Sequence, residues 1–95
     1  MPNVIAKAVM TKDGQFRSII IAYYPELEAQ VKNTADALKP SPYRALMYSN
    51  STITNEWEYD YEGRSANRFY VEIGKAVADN WQITDVQKNF TETTE

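Results

Sequence analysis

Cysteine and histidine are both absent from this chain of 95 residues. Their absence excludes disulfide bonds, thiol nucleophiles and acid–base catalysis by imidazole, and it removes the ligands that most zinc sites use. A glycine-rich phosphate-binding loop is excluded as well, because the three glycines stand isolated at positions 14, 63 and 74. We therefore expect a protein that is not an enzyme and that holds no metal or cofactor.

Long apolar runs and an excess of basic charge are missing too. The longest apolar run covers residues 19–24, far below the ~20 residues that a helix needs to cross a bilayer. The first residues lack the charged start and apolar stretch of a signal peptide, so we expect a cytoplasmic protein without a membrane partner. Ten basic and thirteen acidic residues give a net charge of −3, which argues against a general polyanion binder.

The pattern of apolar residues predicts one small α+β domain over residues 1–95. Alternation of apolar and polar residues predicts four strands, over residues 4–10, 16–24, 43–49 and 52–62. Apolar positions three and four residues apart predict two helices, over residues 26–38 and 65–79. Residues 81–90 fit a strand or a short helix, and we favour the strand. The expected order is ββαββα with a short C-terminal strand, and residues 91–95 form a polar tail that frays.

These elements predict a mainly antiparallel sheet of four to five strands with both helices packed on one face. Asp13 and Gly14 predict the first hairpin turn, Ser65 the N-cap of the second helix, and Asn80 a left-handed residue after it. The predicted core consists of the large apolar side chains on the inward positions: Ile19, Ile21, Leu27, Val31, Leu38, Leu46, Trp57, Phe69, Ile73 and Val77.

Acidic and aromatic residues alternate from position 56 to position 62. The acids are Glu56, Glu58, Asp60 and Glu62. The aromatic residues are Trp57, Tyr59 and Tyr61. Successive side chains of a strand point to opposite faces, so a strand here would place four carboxylates on one face and three rings on the other. Carboxylates placed in this way do not converge on a point, which disfavours a Ca²⁺ site.

The alternating segment suggests a non-catalytic interaction module that presents an acidic, aromatic-backed strand to a basic partner protein. The candidate contacts are the four acids together with two of the rings, Tyr59 and Tyr61. A viral or mobile-element inhibitor that imitates nucleic acid is one form of this hypothesis, and a homodimer is compatible with it. A simpler interpretation stays open, in which the rings face the core and the acids protect an edge strand from aggregation.

Basic residues offer a second functional hypothesis, a small nucleic-acid or nucleotide-binding accessory protein. Its candidate contacts lie on the first hairpin and the third strand: Lys7, Lys12, Arg17 and Arg44. Arg64 and Arg68 lie on successive turns at the start of the second helix. They would hold a phosphate at the helix N-terminus or form ion pairs with neighbouring acids such as Glu62 and Glu72.

Overall fold

A computed structural model describes residues 3–27 and 41–89, which form a five-stranded antiparallel sheet and a long helix. The strands are β1 (Asn3–Lys12), β2 (Gln15–Tyr23), β3 (Tyr43–Ser49), β4 (Thr52–Tyr59) and β5 (Gln82–Lys88), and the helix α1 spans Glu62–Ala78. Residues 25–27 are also helical. The α+β class, the antiparallel sheet and the C-terminal strand are confirmed. Most of the helix predicted over 26–38 and the tail at 91–95 lie outside the described residues.

The strand order is β4-β3-β2-β1-β5, and every neighbouring pair is antiparallel. The N-terminal strand β1 therefore lies inside the sheet, between β2 and β5. After α1 the chain returns to pair β5 with β1, so that Ala8 lies opposite Val86. This order leaves β4 and β5 as the two edges of the sheet.

Residues with positive φ make the tight connections. Asp13 and Gly14 have φ of 51° and 78°, as a two-residue hairpin turn of the type that matches strand twist requires. Asn50, in the turn between β3 and β4, has φ of 57°, and its backbone N–H donates to the carbonyl oxygen of Phe16 at 2.8 Å. Asn80 follows α1 with φ of 69°, which confirms the left-handed residue predicted there.

The helix α1 covers one face of the sheet, and the core lies between them. The buried cluster is drawn from β1, β2, β3, α1 and the residue before β5: Ala6, Ala8, Met10, Ile19, Ile21, Met47, Phe69, Ala76 and Trp81. Phe69 is completely buried and is the largest of these fully enclosed side chains. Burial of an aromatic side chain of this size is a major source of stability in a small domain.

The predicted core is partly right. Burial is confirmed for Ile19, Ile21, Leu46 and Phe69. The side chains of Trp57 and Ile73 are half-buried against the cluster, Leu27 is half-buried, and Val31 and Leu38 lie outside the described residues. Val77 was expected in the core but is 54% exposed. The reason is the rotation of α1, whose buried stripe runs along Ser65, Phe69, Glu72 and Ala76.

The boundary between β4 and α1 differs from the prediction. A strand was expected to reach residue 62, but β4 ends at Tyr59 and α1 begins at Glu62. Ser65 is therefore not the N-cap; it lies in the first turns of α1, and its hydroxyl donates to the carbonyl oxygen of Glu62 at 2.7 Å. Tyr61 occupies the N-cap position with extended backbone, φ −147°. An acidic residue also suits the first turn of a helix because of the helix dipole, so the position of Glu62 fits both a strand and a helix start.

Candidate partner-binding surface

The edge strand β4 has one face turned toward α1 and one turned away from it. Arg68 of α1 defines the inner face, because its guanidinium lies 4.9 Å from the ring centroid of Trp57 and its Nε donates to the hydroxyl of Tyr59 at 3.0 Å. Side chains alternate along a strand, so Glu56 and Glu58 lie on the face that points away from α1. Two of the four predicted acids therefore share a strand face.

Arg44 of β3 lies beside these two carboxylates. Its Nη1 is 3.3 Å from Oε2 of Glu56, and in the strand register Arg44 is directly opposite Glu58. The exposed side chain of Glu58 forms no ion pair with any residue in the ranges 3–27 and 41–89. Arg44 thus balances one of the two charges on this face and leaves the second open to an external cation.

Asp60 and Glu62 do not continue the row. Asp60 lies in the bend after β4, is exposed, and has Oδ1 at 3.5 Å from Nη1 of Arg64. Glu62 is half-buried at the start of α1. The expectation of four carboxylates in one row is wrong, because the chain turns away from the strand direction after Tyr59. The acidic surface that remains consists of Glu56, Glu58 and the neighbouring Asp60.

The two tyrosines of the candidate site differ in exposure. Tyr59 is half-buried on the inner face and its hydroxyl accepts the hydrogen bond from Arg68. Tyr61 is 57% exposed in the bend between β4 and α1. Tyrosine is enriched in protein interfaces because its ring is rigid and its hydroxyl remains polar. Tyr61 is therefore the better placed of the two to contact a partner.

Arg68 joins β4 to the buried side of α1. Its Nη1 is 3.1 Å from Oε2 of Glu72, a carboxylate that is only 9% exposed and that also lies 3.5 Å from Nζ of Lys75. The hydrogen bonds to Tyr59 and to Glu72 raise the pKa of the Arg68 guanidinium above its ordinary value. The ion pair with Glu72 agrees with the four-residue spacing in the sequence, whereas the contacts with Trp57 and Tyr59 had no signal in it.

The basic residues of the second hypothesis lie on two different faces. On the α1 side, Nζ of Lys12 donates to a backbone carbonyl near the end of α1 at 2.7 Å, and the guanidinium of Arg17 lies 4.2 Å from the ring centroid of Trp81. Lys7 and Arg44 occupy the opposite face of the sheet, according to the strand registers. The four cations therefore do not gather into one patch of the kind that binds nucleic acid.

The described residues 3–27 and 41–89 contain no cluster of three or more acidic side chains suited to holding a metal ion. No helix among them has the length and apolar character that a membrane span requires. Comparison of the chain with protein-family models, with curated proteins and with solved structures found no match. Function is therefore inferred from the geometry of this surface.

Proposed function

We propose that the protein is a non-catalytic interaction module that presents the outer face of β4 to a basic surface of a partner protein. The observation that carries the proposal is the place of β4 at the sheet edge, with Glu56 and Glu58 on the face opposite α1 and Asp60 exposed just beyond the strand. Charges of one sign on an accessible edge attract a partner of the opposite sign and orient it during encounter.

The backbone of an edge strand supports the same function. An edge strand has unpaired N–H and C=O groups, and another chain can add to it as a further strand. A short partner segment with basic side chains would pair with the backbone of residues 55–59, where the register against β3 is regular, and place its charges near Glu58. Tyr61, exposed at the end of β4, would extend the contact with an aromatic ring.

A nucleic-acid mimic, the narrower hypothesis, would need a larger number of regularly spaced carboxylates on the surface. Carboxylates two residues apart on one strand face are separated by about 6.6–6.8 Å. Imitation of a phosphate backbone requires a longer line of such charges, whereas β4 contributes two, and Arg44 pairs with one of them. An inhibitor of a basic protein is therefore better supported than a mimic of a long nucleic acid.

The test uses a variant with the three substitutions Glu56→Gln, Glu58→Gln and Asp60→Asn, which preserve the shape of the side chains. Wild type and variant are immobilised, and binding of a lysine-rich peptide with strand propensity is measured at low and at high salt. We expect the variant to bind about tenfold or more weakly at low salt, a difference on the order of 1–2 kcal/mol. The difference should shrink at high salt, because exposed charges are screened.

The matched control removes three acids elsewhere, with Asp13→Asn, Asp79→Asn and Asp85→Asn. It has the same net charge as the β4 variant but retains the acids of β4. Equal binding of peptide by the two variants would overturn the proposal, because attraction would then depend on net charge alone. Capture of nucleic acid by the wild type would instead favour the second hypothesis, and size-exclusion chromatography tests the homodimer.

A further inference from the structure

A second surface, distinct from the outer face of β4, lies where β4 meets α1. An open cleft of about 530 Å³ is present there. The described residues that line it include two tyrosines and two arginines but no carboxylate: Tyr59, Tyr61, Gly63, Arg64, Asn67 and Arg68. Ligand-binding clefts have volumes of about 300–1,000 Å³, so this one can hold a small organic molecule.

Arg68 is a fixed element of the cleft wall. Three groups set its position: the hydroxyl of Tyr59 at 3.0 Å from Nε, the carboxylate of Glu72 at 3.1 Å from Nη1, and the ring of Trp57 at 4.9 Å. Glu72 is itself buried, so the guanidinium is held from the side of the core. A donor held in this way loses little conformational entropy when it binds a ligand.

Arg64 is held more loosely, one turn before Arg68. Its guanidinium carbon lies 5.9 Å from the ring centroids of both Tyr59 and Tyr61, at the outer limit of a cation–π contact. Its ion pair with Asp60 is 3.5 Å long, and both partners are more than half exposed. An exposed pair of this kind contributes little stability, so Arg64 can exchange Asp60 for an anionic ligand at small cost.

We propose that this cleft binds a small organic anion that consists of a flat aromatic ring and a phosphate group. The phosphate would lie between Arg64 and Arg68, because side chains four residues apart on a helix are neighbours and guanidinium groups bind phosphate through paired hydrogen bonds. The ring would stack on Tyr61, which is 57% exposed beside the cleft.

Charge around the cleft favours a small anion over a long one. Asp60 is exposed beside Arg64, and the chain carries a net charge of −3, so a polyanion would be repelled beyond its first phosphate. A single phosphate that is enclosed by two guanidinium groups escapes most of this repulsion. The cleft would therefore bind a mononucleotide-sized ligand without help from Glu56 and Glu58, and it shares Tyr61 with the proposed partner contact.

The experiment titrates the full chain with three probes and follows backbone amide chemical shifts. Adenosine monophosphate has both groups, adenosine has the ring alone, and inorganic phosphate has the anion alone. We expect saturable shifts at residues 59–68 with adenosine monophosphate, and an affinity about tenfold or more above that of either fragment. Absence of saturable shifts there would overturn the proposal, and so would equal affinities for inorganic phosphate and adenosine monophosphate.

Two single substitutions separate a specific site from general attraction. Arg64→Gln should weaken binding of adenosine monophosphate about tenfold or more, because a guanidinium–phosphate contact is lost. Lys7→Gln removes the same charge from an exposed position on the opposite face of the sheet and should leave the affinity unchanged. Equal effects of the two substitutions would overturn the site, and Arg64 is preferred to Arg68 because its loss does not disturb Glu72.

The ring is tested independently with Tyr61→Leu. This substitution keeps an apolar side chain but removes the aromatic face. Binding of adenosine monophosphate should weaken several-fold, as expected when a stacked ring is lost, while the weaker binding of inorganic phosphate is retained. Loss of both to the same extent would contradict the proposed position of the ring.

Discussion

The two edges of the sheet, β4 and β5, have the same backbone features but different charges. Each edge strand has a register irregularity against its neighbour. Beside each irregularity a threonine hydroxyl donates to a carbonyl of the neighbouring strand, Thr54 to Met47 at 3.4 Å and Thr84 to Val9 at 3.1 Å. Irregularities of this kind increase the local twist and hinder the addition of further strands. Both edges are therefore protected against pairing along their whole length, and in β4 the stretch with regular register that remains for a short partner segment is residues 55–59.

The two edge strands differ in the charges that they carry on the face of the sheet opposite α1. There β4 carries two carboxylates two residues apart, Glu56 and Glu58. Two positions of β5 with the same spacing carry one carboxylate, that of Asp85, and one amide, that of Gln87. The side-chain nitrogen of Gln87 donates to Oδ2 of Asp85 at 3.2 Å. Like charges at neighbouring positions lower stability. Because β5 is an edge without a repeated charge, edge protection does not by itself require the acids of β4, which is consistent with the partner proposed for β4.

The largest effect on stability is expected from a substitution in the core between α1 and the sheet. Phe69→Ala should lower the free energy of unfolding by about 3–5 kcal/mol, because it leaves a cavity beneath the sheet. Small domains have only about 5–15 kcal/mol in total, so the loss is a large fraction of the stability. Denaturant unfolding measures the change, and Val71→Ala, at an exposed position of α1, should alter it by less than about 0.5 kcal/mol. A loss below about 1 kcal/mol for Phe69→Ala would contradict the proposed core.

The sequence predicted that Phe69 is buried, but it did not predict the burial of all the residues around it. Phe69 and Ile19 stand out because large apolar side chains recur at the period of a helix or a strand. Ala6 and Ala8 are just as buried but small, and their burial follows from the position of β1 inside the sheet, which depends on its pairing with β5. Pairing between residues so distant in the chain leaves no local pattern.

The candidate site shows a different reason for a missed prediction. Alternation of acids and rings continues unbroken through Tyr61 and Glu62, so period-two patterning alone could not predict that β4 ends at Tyr59. The four-residue spacing of Arg68 and Glu72 indicated an ion pair as one of two interpretations, and the structure contains that pair. The cleft between β4 and α1 required the tertiary arrangement, because it brings Tyr59 against Arg68 through the bend at 60–61.

Substitution of Arg68 should have an intermediate effect on stability, and the effect should be confined to the β4 edge. Arg68→Met should lower the free energy of unfolding by about 1–2 kcal/mol, because the buried carboxylate of Glu72 loses its closest partner. Hydrogen exchange should become faster at the amides of β4 than at those of β5, since Arg68 contacts Trp57 and Tyr59 of β4. Arg64→Met serves as the control. Equal acceleration at both edges would show that Arg68 supports the whole core and not β4 in particular.

The smallest effect on stability is expected when the acids of β4 and of the following bend are neutralised. In the variant with Glu56→Gln, Glu58→Gln and Asp60→Asn, the exposed ion pairs with Arg44 and Arg64 are lost while repulsion between Glu56 and Glu58 is relieved. Each contribution is a fraction of a kcal/mol, so the free energy of unfolding should change by less than about 0.5 kcal/mol.

Light scattering at rising protein concentration then distinguishes the two roles of the β4 acids. We expect the variant to remain as monodisperse as the wild type, because the irregularity beside Thr54 still protects the edge in the way that its counterpart protects β5. Aggregation of the variant with unchanged stability would show that the charges themselves protect β4. The acids would then need no partner, and Tyr61 would become the remaining candidate for a contact on this surface. Unchanged dispersity together with weakened binding of the basic peptide is the result that an interaction surface requires.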